Sequence, residues 1–219
     1  MKLLAIDTSG PRALWMGVVD GVPHDPVFAG DGEHHDAVLG EGLRAWLDRN
    51  RWESIDAVAV VVGPGGFTGL RVGVAFASGL AEALGVPVVP ISTYERLAAS
   101  VDSGIVWALP FASRREFRGR FMRGGEEPEA LSDIDVFSAD RIPEPRQEGP
   151  IIPLGEGYER ERASIDTALG KRRGDADLLD PATALARAAS TAWRRGEAIT
   201  PDQVDVDYGA EFLPTPKGG

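Results

Sequence analysis

Apolar residues recur along this chain with two different periods, and the switches between them mark its elements. Leu3 to Ile6 and Ala13 to Val19 are short, nearly unbroken apolar runs, and Asp20-Gly21 is a strong hairpin signal before the next run, Val22 to Ala29. Pro23 and Pro26 make that third run an edge strand, because proline has no N–H to give to a neighbour inside a sheet. The chain is therefore expected to open with a three-stranded antiparallel meander. From Asp36 to Asn50 the period lengthens: Leu39, Leu43, Trp46 and Leu47 fall at the i, i+4, i+7, i+8 spacing of an amphipathic helix.

The stretch from Val58 to Ile91 packs a whole βαβ unit into one readable segment. Val58 to Val62 is β-branched and apolar on both faces, the pattern of a strand covered on both sides. Gly63-Pro64-Gly65-Gly66 stops it, Thr68 is expected to cap a helix, Gly85 followed by Pro87 ends that helix, and Val86 to Ile91 resumes the strand pattern. Gly69, Gly73, Ala77 and Ala81 repeat every four residues, so one stripe of the helix has almost no side chains. Each interior glycine costs a helix about 1 kcal/mol relative to alanine, so Gly69, Gly73 and Gly79 need close packing to offset them. The stripe serves either the chain's own sheet or a helix of another chain, and the pattern alone does not choose.

Thr93 to Ser100 reads as a short helix, after which the pattern restarts. Ile105 to Phe111 and Glu116 to Met122 are expected strands joined by a Ser113-Arg114-Arg115 turn, a degenerate second copy of the opening. Gly124 to Glu129 reads as an acidic turn, Ser138 to Pro150 as a proline-rich connection, and Ile151 to Leu154 as another strand. Asp180-Pro181 opens a last helix with a capping residue and proline in first position, and Gly196 closes it. The tail from Pro214 is expected to fray. A meander followed by helix, strand, helix and strand is the order of one half of an α/β ribonuclease H-like or actin-like ATPase fold. The expected division is residues 1–100 and 101–219.

Composition narrows the function. With 34 acidic and 23 basic residues the net charge is −11, which argues against a dedicated nucleic-acid surface. Zero cysteines exclude disulfides and thiolate metal sites and fit a reducing cytosol. Met1 to Ile6 is too short for a signal peptide and meets Asp7 at once, no other segment reads as long enough to span a bilayer, and a cytoplasmic location follows as the expectation. The histidines, His24, His34 and His35, lack the helical spacing of a metal pair. There is no GxSxG, and no histidine stands beside a plausible nucleophile. Gly63 to Gly66 has no GxxxxGK[ST] pattern, and the only lysines are Lys2, Lys171 and Lys217, which removes a P-loop. Asp7-Thr8-Ser9-Gly10 lies where actin-like ATPases hold a phosphate and its metal, yet it is also ordinary hairpin punctuation.

LLAIDTS at the amino terminus, the helix bearing Leu39 and Leu43, and GPGGFTGLRVGVAFASGLAEALGVPVVPIST together closely resemble the TsaB (YeaZ) family over roughly residues 1 to 100. The family pattern is GPGSFTGLRIG, with Gly66 here in place of the serine. The resemblance implies an actin-like (ribonuclease H-like, ASKHA) fold of two related half-domains that no longer catalyses. It implies a scaffold that activates TsaD, the enzyme that threonylcarbamoylates adenosine-37 of ANN-decoding tRNAs, as a heterodimer that works with the ATPase TsaE. It also implies a homodimer when the chain is alone, tRNA contact only through the complex, no membrane, no cofactor held by this chain alone, and room for ATP and magnesium in the complex. The implied interface residues are Leu39, Leu43 and Trp46 on the first helix and Gly69, Leu70, Gly73, Ala77 and Leu80 on the second, with Asp7, Thr8 and Ser9 as a vestigial nucleotide site. Where the family has Asp-Ala-Arg in the second half, this chain reads Phe111-Ala112-Ser113-Arg114-Arg115, and of the terminal Pro-x-Tyr only Tyr208 remains. The competing reading is an actin-like ATPase or phosphotransferase using Asp7.

Overall fold

The computed structural model describes residues 1–29, 35–50, 52, 54–110, 116–138 and 140–208, with side chains of the first helix described from Leu39. The opening meander forms as read: β1 (Lys2–Asp7), β2 (Ala13–Val19) and β3 (Val22–Ala29) pair antiparallel in sequence. Asp20 and Gly21 take φ values of 50° and 85° at the first hairpin, the left-handed geometry that an Asp-Gly turn supplies. α1 (His35–Asn50) leads to β4 (Ala57–Gly63), which pairs parallel to β1, and α2 (Phe67–Leu84) crosses to β5 (Val88–Ser92), parallel to β4. The first sheet thus has the order β3-β2-β1-β4-β5.

The strand alternation divides two cores. Leu3, Ala5, Ala57, Ala59 and Val61 face one side with Leu14, Met16 and Val18; Leu4, Ile6, Val58 and Val60 face the other with Trp15. α1 and α2 cover the second side. The first side is covered by α6 (Pro181–Arg194), whose Ala182, Leu185, Ala186 and Ala189 pack there although the helix follows the second sheet in the chain. Asp180 caps α6 through the backbone N–H groups of Ala182 and Thr183, as the sequence implies.

α3 (Thr93–Ala98) follows β5 and leads into β6 (Gly104–Ala108) and β7 (Phe117–Gly124), which pair antiparallel. β8 (Glu129–Ala130) and β9 (Asp135–Phe137) both pair with β7, and β10 (Ile151–Leu154) runs parallel to β6, giving the order β10-β6-β7-β8. This repeats the first sheet's antiparallel strands and one parallel return; the fifth strand is β9, paired with β7 off that path, and not a second parallel strand. The whole is the α/β actin-like, ribonuclease H-like fold. α4 (Glu156–Arg160) and α5 (Arg162–Leu169) cover one face of the second sheet through Tyr158, Ile165 and Leu169, and α3 covers the other. These two helices fall in a stretch whose polarity carries no clear period. The segments of Phe111 to Arg115 and beyond Tyr208 lie outside the described residues.

Two readings are corrected. α2 starts at Phe67 with Gly66 in the capping position and no side-chain bond there, so Thr68 lies inside the helix rather than capping it. α2 is also long and apolar enough, by length and composition, to cross a membrane, contrary to the expectation that no such segment exists; its inner side is packed on the chain's own sheet.

Candidate functional site

The turns after β1 and β4 meet at the carboxyl ends of two adjacent parallel strands, where open α/β sheets place their ligand sites. Asp7 Oδ1 accepts from the Ser9 backbone N–H at 2.9 Å and from Ser9 Oγ at 2.6 Å, a closed local turn. Its other oxygen, Oδ2, faces Arg96 Nε of α3 at 3.0 Å, a charge contact not aligned as a hydrogen bond. Both groups are shielded, with side chains 11% exposed for Asp7 and 20% for Arg96. The carboxylate that could have met a metal or phosphate already has a hydroxyl, an amide and a guanidinium around it. Arg96 owes its position to a capping box: Ser92 accepts from Tyr94 N while Glu95 reaches back to Ser92 N, which sets the first turn of α3.

The glycine-rich turn is pressed against this group. The Gly66 N–H donates to the Ser9 carbonyl at 3.0 Å, and a Cβ on Gly65 would lie 2.8 Å from the same oxygen. Thr8 is fully buried beneath α2, and a Cβ on Gly73 would come within 2.1 Å of its Oγ1. The bare stripe of α2 is therefore used inside the chain, to bring the helix backbone onto the end of β1.

The expected interface residues divide accordingly. Leu39, Leu43, Trp46, Leu70 and Ala77 are all buried in this chain's core, as are Gly69 and Gly73. The amphipathic stripes they form are the sides that cover this chain's own sheet. Leu80 is half-buried at the boundary. Sequence reasoning missed the opposite side of α2, where Ala75, Gly79 and Ala83 are exposed beside half-buried Val72 and Phe76, together with Thr68, Arg71 and Glu82. Only 33% of this apolar helix is buried. At Gly79 a Cβ would meet nothing within 4 Å.

A terminal strap borders this face. Ile199 exchanges backbone hydrogen bonds with Val88, Ser78 Oγ donates to the Pro201 carbonyl at 2.7 Å, and Asp207 N donates to the Val62 carbonyl. Tyr208 then stacks on Phe67 with ring centroids 5.1 Å apart, and the Arg71 guanidinium lies over the Phe67 ring at 5.1 Å from its centroid. Nearby, burial pushes the Tyr94 phenol up to about 12, with the Asp207 carboxylate adding to the effect; its hydroxyl has no partner. Among the described residues no three His, Asp or Glu side chains converge as a metal site.

Residues 32–111 match the family model described as TsaD: tRNA N6-adenosine threonylcarbamoyltransferase, under half of the chain. An uncharacterized protein of Mycobacterium tuberculosis is 33% identical over 144 residues, covering 61% of this chain and 67% of that protein. The tRNA threonylcarbamoyladenosine biosynthesis protein TsaB of Bacillus subtilis is 27% identical over 125 residues, 55% of each chain. A Pseudomonas aeruginosa crystal structure, described as an uncharacterized protein with similarity to peptidase YEAZ, superposes with a TM-score of 0.75. It is 26% identical and covers 94% of this chain and 98% of that one.

The chain belongs to the TsaB (YeaZ) family. In this TsaB-family chain the signature GPGGFTGLR divides residue by residue: Gly65, Gly66 and the buried Gly69 and Leu70 seat the turn and helix, while Phe67 and Arg71 face outward. Arg96 has a signal that could have revealed it, the Ser92-x-x-Glu95 capping box one residue before it. The strap has none, since nothing in its composition says which strand it joins.

Proposed function

We propose that this chain is a cytoplasmic, non-catalytic scaffold in tRNA threonylcarbamoyladenosine biosynthesis, which binds and activates a TsaD-type threonylcarbamoyltransferase. The observation that carries the reading is the outer face of α2, a strip of small residues in which exposed Ala75, Gly79 and Ala83 run beside half-buried Val72 and Phe76, with Thr68, Arg71 and Glu82 exposed along the same side. Such a strip is the surface on which a second helix can approach closely, and a contiguous exposed apolar patch marks an interaction site. The family match on residues 32–111, which includes this helix, supports TsaD as the occupant. When TsaD is absent the same strip takes a second copy of this chain. TsaE joins through the complex, and tRNA contact is indirect, in keeping with the net charge of −11.

The engagement of Asp7 by Ser9 and Arg96 supports the non-catalytic part of the reading, and ATP and magnesium are assigned to the complex rather than to this chain. Light scattering during gel filtration of the chain alone, of TsaD from the same organism alone, and of the mixture tests the partnership. A one-to-one heterodimer is expected. Separate elution well above micromolar concentration overturns it, and ATP turnover by the isolated chain that disappears in Asp7→Ala overturns the non-catalytic assignment.

A further inference from the structure

A cavity of about 250 Å3 lies apart from both the Asp7 turn and the outer face of α2. One stripe of α6 forms its floor, with Thr183, Arg187, Ser190 and Arg194 at three- and four-residue spacing, and the Asp20–Val22 hairpin and Glu126 of the β7–β8 turn form its walls. It therefore joins the two sheets across a single helix.

Two of its lining residues carry a buried polar atom without a partner among the described residues. Ser190 is 2% exposed and its Oγ bonds to nothing among the described residues; Arg187 Nη1 is likewise buried and unpaired there. Arg187 is held in place by its other terminal nitrogen, Nη2, which donates to Asp102 Oδ1 at 3.0 Å. Gly21, at φ +85°, lies close to the hydroxyl: a Cβ there would stand 3.8 Å from Ser190 Oγ. Buried donors without acceptors are uncommon and costly, so two of them facing one cavity call for an acceptor from outside.

Three of the surrounding acids are already engaged, while the Glu126 side chain belongs to the wall. Asp20 accepts from the Met1 terminal amine at 2.9 Å, Asp102 takes Arg187, and Glu127 lies 3.6 Å from Arg194. The Glu126 carbonyl accepts from Thr191 Oγ1 at 2.8 Å. A guanidinium N–H beside a hydroxyl, with a second guanidinium at the mouth, is a donor set for two oxygens of one anion. We propose that this cavity binds a small oxyanion, a carboxylate or phosphate group, through Arg187 Nη1 and Ser190 Oγ, with Arg194 supplying charge at the entrance.

The test titrates the chain with sodium acetate and, separately, with inorganic phosphate, each against sodium chloride at equal ionic strength. Tm and the 1H–15N signals of the Ser190 amide and Arg187 Nε–H are followed together. A saturable rise in Tm, tracked by both signals, is expected from at least one anion; saturation by acetate alone assigns a carboxylate and by phosphate alone a phosphate. Ser190→Ala and Arg187→Lys should each weaken that saturation by about tenfold or more. Ser190→Ala only removes an unpartnered hydroxyl and keeps the fold, so it carries the test even where Arg187→Lys does not. A linear response to both anions, or saturation that survives Ser190→Ala with the Ser190 amide unmoved, overturns the proposal.

Discussion

Gly73 and Gly79 lie on different faces of the same helix, and their surroundings are opposite. At Gly73 a Cβ would collide with Thr8 Oγ1 at 2.1 Å, whereas at Gly79 it would find open space. Both glycines cost α2 about 1 kcal/mol in helix propensity. For Gly73 the cost is offset inside the chain, because its absent side chain lets the α2 backbone rest on the end of β1. For Gly79 nothing among the described residues offsets it. The inner face explains the fold, and the outer face, with the same small and apolar residue types, has no such explanation within one chain; it is the part of α2 that a partner would complete.

The sharpest way to break this comparison is to place a leucine at each position. Gly73→Leu is expected to destabilise the free chain by about 3 kcal/mol or more, since overpacking a closed contact forces the backbone apart; urea unfolding measures it, and a near-normal midpoint would show that α2 does not rest on Thr8. Arg96→Met probes the floor of the inner face. It leaves the shielded Asp7 carboxylate without its cation, and a loss of roughly 2 kcal/mol is expected, below the range for a fully buried pair because both groups retain some exposure. Stability unchanged in that variant would make the Asp7–Arg96 contact incidental.

On the outer face, Gly79→Leu is expected to leave the free chain as stable as before, or to raise its stability by up to about 1 kcal/mol through helix propensity. It should weaken association with TsaD by about tenfold or more, equivalent to about 1.4 kcal/mol. Equal affinity of variant and parent in a titration followed by light scattering would move the interface elsewhere. The smallest effect belongs to the boundary between the faces. Gly66→Ser restores the family residue at a capping position where a Cβ would meet only the Ser9 carbonyl at 3.5 Å. Glycine is a fair cap itself, so a gain of only a few tenths of a kcal/mol, about 0.3, is expected in thermal unfolding; a clear loss would mean that the turn cannot accept a side chain.

The local elements were legible because local chemistry makes them. Short apolar runs and the Asp-Gly turn set β2 and β3 to their observed ends, Gly85 in the left-handed conformation stops α2, and Asp180-Pro181 starts α6. α4 and α5 were not legible, since their apolar positions, Tyr158, Ile165 and Leu169, are too sparse to declare a period. At the candidate site Asp7, Thr8 and Ser9 were found from a turn motif, but Arg96 was not, because it reaches Asp7 across the packing of α3 on the sheet and not along the chain.

What the sequence determined by itself, then, is the set of strands and helices, their order, and the family signature; these follow from residue periodicity, capping and turn chemistry within a few positions. Only the tertiary structure decided which face of α2 is spent on the chain's own core, that α6 returns to the first sheet, and that the strap ending at Tyr208 stacks on Phe67. The reason is that a small apolar residue reads alike on either side of a helix, and only the neighbour that meets it in space determines whether it builds the fold or remains for another chain.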